Sequence, residues 1–256
     1  MKSAIEILST ENPGEKTRLT FLAEINWKNE CLSLGRADNI PARPKRPIKP
    51  TLSSAKNMPR RRISKSPSGR TALLHAIAHI ELNAIDLAWD LIARFSNPML
   101  PKKFYSDWLE VAVDEARHFT LISERLSELN TAYGDFVAHD GLWEAAIATK
   151  DNLIGRLAII PLVMEARGLD VTPDMISKLR AVNDYRSADI LDIIYNDEIE
   201  HVKIGYSWFM FACASRGLEP KNTWQDCLKK FYRGNLKPPF NIKARNRADI
   251  PQSWYI

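Results

Sequence analysis

Apolar and polar positions along the chain alternate with a helical period, and strand-type alternation is not convincing anywhere. Leu19, Leu22, Ile25 and Trp27 predict one apolar face on a short helix around Glu15–Asn29. A stretch punctuated by Pro41, Pro44, Pro47, Pro50, Pro59 and Pro67 follows and should run extended without a core of its own. From Thr71 the texture changes. Thr71–Phe95 is rich in Ala, Leu and Ile and ends before the turn signal Ser96-Asn97-Pro98. Pro101–Asn130 predicts a second long helix, with Pro101 suited to its first turn. Asp140–Thr149 predicts a short helix. Leu153–Arg167 predicts another, kinked at Pro161 and stopped at Gly168. Thr172-Pro173 then starts a short helix to about Asn183, and Ser187–Ser215 is the last long helix, closed by Gly217. The expectation is an all-α chain built as a bundle.

The predicted organisation has three parts. Residues 1–70 form an N-terminal helix and a basic, Pro-rich arm packing on the core. Residues 71–217 form the core, and residues 218–256 a C-terminal helix and basic tail.

Charge sharpens this division. The formal charge of +5 resolves into −1 over residues 1–40, +10 over 41–70, −10 over 71–227 and +6 over 228–256. The arm suits either a polyanion, nucleic acid included, or the acidic middle of its own chain. Residues 41–70 hold no Phe, Trp or Tyr for base stacking, which favours the second. Three scattered cysteines, Cys31, Cys213 and Cys227, rule out a disulfide scaffold and C-x-x-C zinc or redox chemistry. Apolar runs break before about 18 residues, so no membrane span is expected, and a reduced cytoplasmic setting is the default.

The chemistry concentrates at two histidines. Glu115-Ala-Arg-His118 and Glu198-Ile-Glu-His201 each place Glu and His at i and i+3 of a long apolar helix, where both can grip one ion. A four-helix carboxylate site needs one further Glu from each remaining helix. Glu81, within Ile80-Glu81-Leu82, and Glu165, within Val163-Met164-Glu165, are the acids available. Thirty-four residues separate Glu81 from Glu115, and thirty-three separate Glu165 from Glu198. In the first hairpin, about 21 Å of helix leads from Glu81 to Phe95 and about 20 Å returns from Lys102 to Glu115, so the two acids meet at one height.

The expected metal ligands are therefore Glu81, Glu115, His118, Glu165, Glu198 and His201. Four carboxylates and two imidazoles suit two divalent ions, iron first and manganese second. Asp114 and Asp197 precede the ligand glutamates and could accept the outer N–H of imidazoles, Asp197 from His118 and Asp114 from His201. His75 and His79 point away from Glu81 around the helix and read as packing or surface residues. Trp108 and Tyr195 read as core packing, with a redox-active aromatic as the alternative.

The strings AHIELNAIDLAWD, DEARHF, MEARGLDVTP and NDEIEHVKIG, set around these residues, resemble the ferritin-like superfamily of dimetal-carboxylate proteins. Within it they are similar to a bacterial ferritin-like family of unknown function, and more distantly to rubrerythrins and a diiron tRNA hydroxylase. The resemblance covers roughly residues 40–215. It implies a ferritin-like four-helix bundle with a crossover connection, and the six residues above as ligands of a diiron or dimanganese centre. No rubredoxin-like four-cysteine module is present, which argues against a complete rubrerythrin.

Three functions follow as expectations. The first is an O2- or peroxide-dependent oxidase or hydroxylase, an oxidoreductase drawing on an electron donor. Its substrate is a small molecule or, given the basic arm, a modified RNA. The second is iron handling or peroxide scavenging without an organic substrate. The third is a polyanion-binding module with a structural metal site. A monomer or small homo-oligomer is expected in each case.

Overall fold

Long apolar helices dominate the computed structural model, which describes residues 1–54, 57–58, 61–64 and 66–256. Ala55, Lys56, Pro59, Arg60 and Lys65 of the arm lie outside the described residues. The described residues form an all-α chain without strands, apart from one isolated parallel bridge between Leu52 and Ala138. The chain divides into two units, Met1–Trp143 and Glu144–Ile256, with the boundary inside the short helix Gly141–Ala148.

The first unit is organised around α3 (Pro67–Arg94) and α4 (Lys102–Glu128), which fold back on each other. Tyr105 ties the turn between them: its hydroxyl accepts from Asn97 N at 3.0 Å and donates to Asn97 O at 3.1 Å. Two helices precede them. The first, α1 (Lys2–Leu8), carries no periodic signal strong enough to predict it. The second, α2 (Pro13–Lys28), is capped by the Asn12 side chain, which accepts from Glu15 N. Its packing corrects the expected apolar face, since Leu22 and Ile25 are exposed. The buried positions are Lys16, Thr17, Thr20 and Ala23. Polar groups can be buried there because each finds a partner. Lys16 pairs with the buried Asp86 of α3, and the Thr20 hydroxyl accepts from Trp89 Nε1 at 3.0 Å.

The N-terminal part of the arm lies on the unit's own acidic groups. Arg46 reaches Asp86 at 2.9 Å, Arg43 reaches Asp140 at 2.6 Å, and Arg94, held by Asp90, donates to Pro41 O at 3.0 Å.

The second unit runs through α6 (Leu153–Ile159), a π-helix (Ile160–Glu165) and α7 (Ala166–Ala181) without a break. After a tight turn at Asn183 (φ +64°) the chain returns as α8 (Tyr185–Ala214), capped by Asp184 accepting from Ser187 N. This corrects the expected stop at Gly168 and fresh start at Pro173, because Gly168 has open space around it and continues the helix. Pro173 sits inside α7 because the carbonyl it cannot serve, Leu169 O, accepts instead from Asn241 Nδ2 at 3.1 Å. Pro161 does not simply kink the helix. The backbone around it widens into a π-helix, a form that relieves the lost hydrogen bond. Gly217, at φ +62°, closes α8 as expected, with Leu218 N donating to Cys213 O.

The chain then forms α9 (Pro220–Phe231) and α10 (Ile242–Arg247). Arg245 of α10 is buried against the rings of Phe240 and Tyr255 and paired with the buried Asp170 of α7 at 2.7 Å. No helix among the described residues is long and apolar enough to cross a membrane.

Candidate metal centre

In the first unit Glu81 projects from α3, and Glu115 and His118 from α4. Same-face neighbours Ala78 and Ile85 on α3, and Ala112 on α4, are buried, so the helix pair carries these polar groups into its interior. Nδ1 of His118 stands 3.3 Å from Glu81 Oε2 and 3.4 Å from Glu115 Oε2. Each residue offers one ligand-type atom within 4.8 Å of the others. Glu81 Oε2 is buried without a hydrogen bond. Burial, and next the negative charge of Glu115, push the Glu81 carboxyl up to about 8. Two carboxyl groups facing one imidazole in a water-poor interior form a donor set that could hold a cation once Glu81 ionises, and the mixed oxygen and nitrogen donors suit iron or manganese.

In the second unit Glu198 and His201 share a face of α8, with His201 Nδ1 3.9 Å from Glu198 Oε2. His201 is buried and Glu198 nearly so. Glu165 is the last residue of the π-helix, an element that packs against α8.

Asp114 pairs with Arg117 on its own helix at 2.8 Å, and Asp197 is half-buried beside Glu198. His75 and His79 are buried packing residues. His75 Nε2 accepts from Gly134 N at 2.9 Å, and its ring stacks on Tyr133. His79 Nδ1 lies 2.9 Å from the Tyr133 hydroxyl, and burial brings its pKa down to about 3. The Tyr195 hydroxyl accepts from Asn241 Nδ2 at 3.0 Å, and Trp108 packs edge-on to Phe104.

Three features beside the second donor set were not anticipated from the residues alone: Gly205, the Arg245–Asp170 pair, and the contact of Arg245 Nη2 with Ala166 O at 3.3 Å, one residue past Glu165. An isolated Gly inside the helical pattern of α8 was the available signal for the first. The others join residues more than seventy positions apart and leave no local trace.

The profile of a protein family described as of unknown function, DUF455, matches residues 9–256. The chain belongs to the DUF455 family. All six candidate ligands fall within the matched DUF455 span. The chain is also similar to an uncharacterized protein of Haemophilus influenzae (strain ATCC 51907 / DSM 11121 / KW20 / Rd). The two are 39% identical over 258 residues, covering 96% of this chain and 88% of the relative. No solved structure matches the chain at a significant level.

Proposed function

We propose that this DUF455 protein is a dimetal-carboxylate oxidoreductase of the ferritin-like type, built on a four-helix bundle with a crossover connection. Glu81, Glu115, His118, Glu165, Glu198 and His201 hold two divalent ions, iron first and manganese second. The observation that carries this reading is the meeting of Glu81, Glu115 and His118 inside the first unit, with Glu81 Oε2 buried and lacking a hydrogen bond. Burying two carboxyl groups together is costly, and in the metal-free protein Glu81 avoids a buried charge only by holding its proton. Glu165, Glu198 and His201 are the corresponding donor types of the second unit.

When bound, the ions would supply redox chemistry toward O2 or peroxide for oxidation of an organic substrate. The chain's own residues prepare the site. Glu81 holds a proton near neutral pH and would serve as a ligand in its ionised form. The apolar neighbours Ala78, Leu82, Ala112 and Ala116 exclude water and keep the charges strongly coupled. An external electron donor completes the cycle.

Metal analysis with an absorption spectrum on protein grown with ample iron tests the proposal. About two irons per chain and a near-ultraviolet charge-transfer band are expected. Glu115→Ala and His201→Ala should each lower the stoichiometry while the far-ultraviolet spectrum stays helical. A wild-type chain free of transition metal, and unable to take it up anaerobically, overturns the reading.

A further inference from the structure

Pro161 of the π-helix packs directly against Gly205 of α8. A Cβ built on Gly205 would stand 2.2 Å from Pro161 Cβ and 2.6 Å from Pro161 Cγ, far inside the ordinary contact range that begins at 3.4 Å. The proline ring occupies the place that a side chain at position 205 would need. Only Gly lets the two backbones come this close.

The contact sits beside the candidate ligands. On α8, Gly205 lies four residues past His201 and seven past Glu198, within about 40° and about 20° of them around the helix axis. On the other strand of the helix pair, Glu165 lies four residues past Pro161. The short turn Val182–Asp184 makes the two legs antiparallel, so four residues forward from Pro161 correspond to four residues back from Gly205. That step is about 6 Å along α8 and brings the level of Glu165 to the level of His201. A π-helix spreads its backbone and is tolerated only where packing supports it, which gives the seat an evident role.

We propose that Gly205 is a positioning residue for Glu165: its bare Cα lets the Pro161 ring seat against α8, and that contact sets the height and separation at which Glu165 faces Glu198 and His201. The inference rests on the metal reading above and adds a residue with no ligand atom to the site. An Ala at position 205 must push the π-helix outward by about 1 Å or more. A shift of that size spoils metal geometry while leaving the helices intact.

Titration of the metal-free chain with Co(II), followed by its visible absorption, tests this. Four variants are compared with wild type: Gly205→Ala, Pro161→Gly, the double variant Pro161→Gly/Gly205→Ala, and the control Gly168→Ala. The control adds a methyl three residues past Glu165, where nothing lies within 4 Å. The expected result is that Gly205→Ala stays helical, binds Co(II) about tenfold more weakly and shows altered visible bands. Gly168→Ala binds as wild type does. The double variant, which removes both clashing carbons of Pro161, binds more tightly than Gly205→Ala alone. Pro161→Gly by itself weakens binding less than Gly205→Ala does.

Co(II) affinity of Gly205→Ala within twofold of wild type overturns the inference, and so does a loss that Gly168→Ala shares. If Gly205→Ala fails to fold, the double variant carries the test. It is expected to fold and bind, and failure in either overturns the inference. A wild-type chain that takes up no Co(II) removes the metal reading and this inference together. A wild-type chain that binds beside an equally competent Gly205→Ala removes this inference alone.

Discussion

Asn241 donates its side-chain amide to Leu169 O at 3.1 Å, the carbonyl that Pro173 leaves without its helical donor. A proline in a helix interior ordinarily costs a hydrogen bond and breaks the helix. Here a residue more than seventy positions away makes the missing bond, and α7 continues. The same side chain donates to the Tyr195 hydroxyl at 3.0 Å and caps α10 by accepting from Ala244 N at 3.1 Å.

Asn241→Ala should therefore destabilise the protein by about 1–3 kcal/mol, the range for stranding buried carbonyl groups. In a Pro173→Ala background residue 173 regains its N–H and can serve Leu169 O itself. The cost of Asn241→Ala should then fall by about 1 kcal/mol. Urea unfolding of the four proteins measures the cycle, and an equal cost in both backgrounds would contradict this account of Pro173.

Asp86 is the counter-ion for the buried ammonium of Lys16 and for Arg46 of the arm. Burial lowers the Lys16 pKa, and the charge of Asp86 opposes that fall. Asp86→Ala leaves the ammonium without its partner and should cost about 3–5 kcal/mol. Lys16 Nζ also donates to Lys45 O at 3.3 Å, so the substitution should release the arm. Limited trypsin digestion gives the readout: cleavage after Lys45 should be faster in Asp86→Ala (Arg43 and Arg46 each precede a proline and resist trypsin), and an unchanged digestion pattern would refute it.

The Glu81 carboxyl, raised from its ordinary 4.5 to about 8, makes the metal-free protein pH-sensitive. A group that binds its proton more tightly when folded stabilises the fold relative to higher pH. That stabilisation is fully present below about pH 4.5 and is lost as pH rises through about 8. Thermal midpoints of the metal-free protein should therefore decline across this window. Glu81→Gln should flatten the decline, since it cannot ionise. Adding Fe(II) or Mn(II) anaerobically should raise the midpoint most at the alkaline end, by about 2.7 kcal/mol of stability at a hundredfold excess over Kd. A metal response equal at pH 5 and pH 8 would exclude Glu81 as a ligand.

His79 acts in the opposite direction. Burial, followed by the charge of Arg46, lowers its pKa from 6.5 to about 3. The unfolded chain protonates first, so stability is lost as pH falls from about 6.5 toward 3. His79→Gln should lessen that acid-side loss, read from urea midpoints between pH 4 and pH 7. An identical slope in the variant would show that His79 does not carry it.

The helical period alone placed the long helices within a few residues of α3, α4 and α8, because each buries a long apolar stripe that repeats every turn. Two E-x-x-H motifs and two acids among apolar residues were equally legible, since i, i+3 spacing is a local property of the helix. In the first unit only the fold could carry Glu81 to within 3.3 Å of His118, across thirty-seven residues of chain. The errors were all places where a distant group overrides a local signal. Gly168 and Pro173 read as a break, but Asn241 repairs the backbone. Pro161 read as a kink, but Gly205 opens a seat for its ring and the backbone adjusts as a π-helix. Leu22 and Ile25 read as part of the buried face of α2, but Asp86 and Trp89 supply partners that bury Lys16 and Thr20 instead. Sequence by itself determined where the long helices α3, α4 and α8 form and which residue types could bind a cation, for both follow from near neighbours. Tertiary structure alone decided which breakers are tolerated and which polar groups are buried, because those depend on partners that the chain brings in from far away.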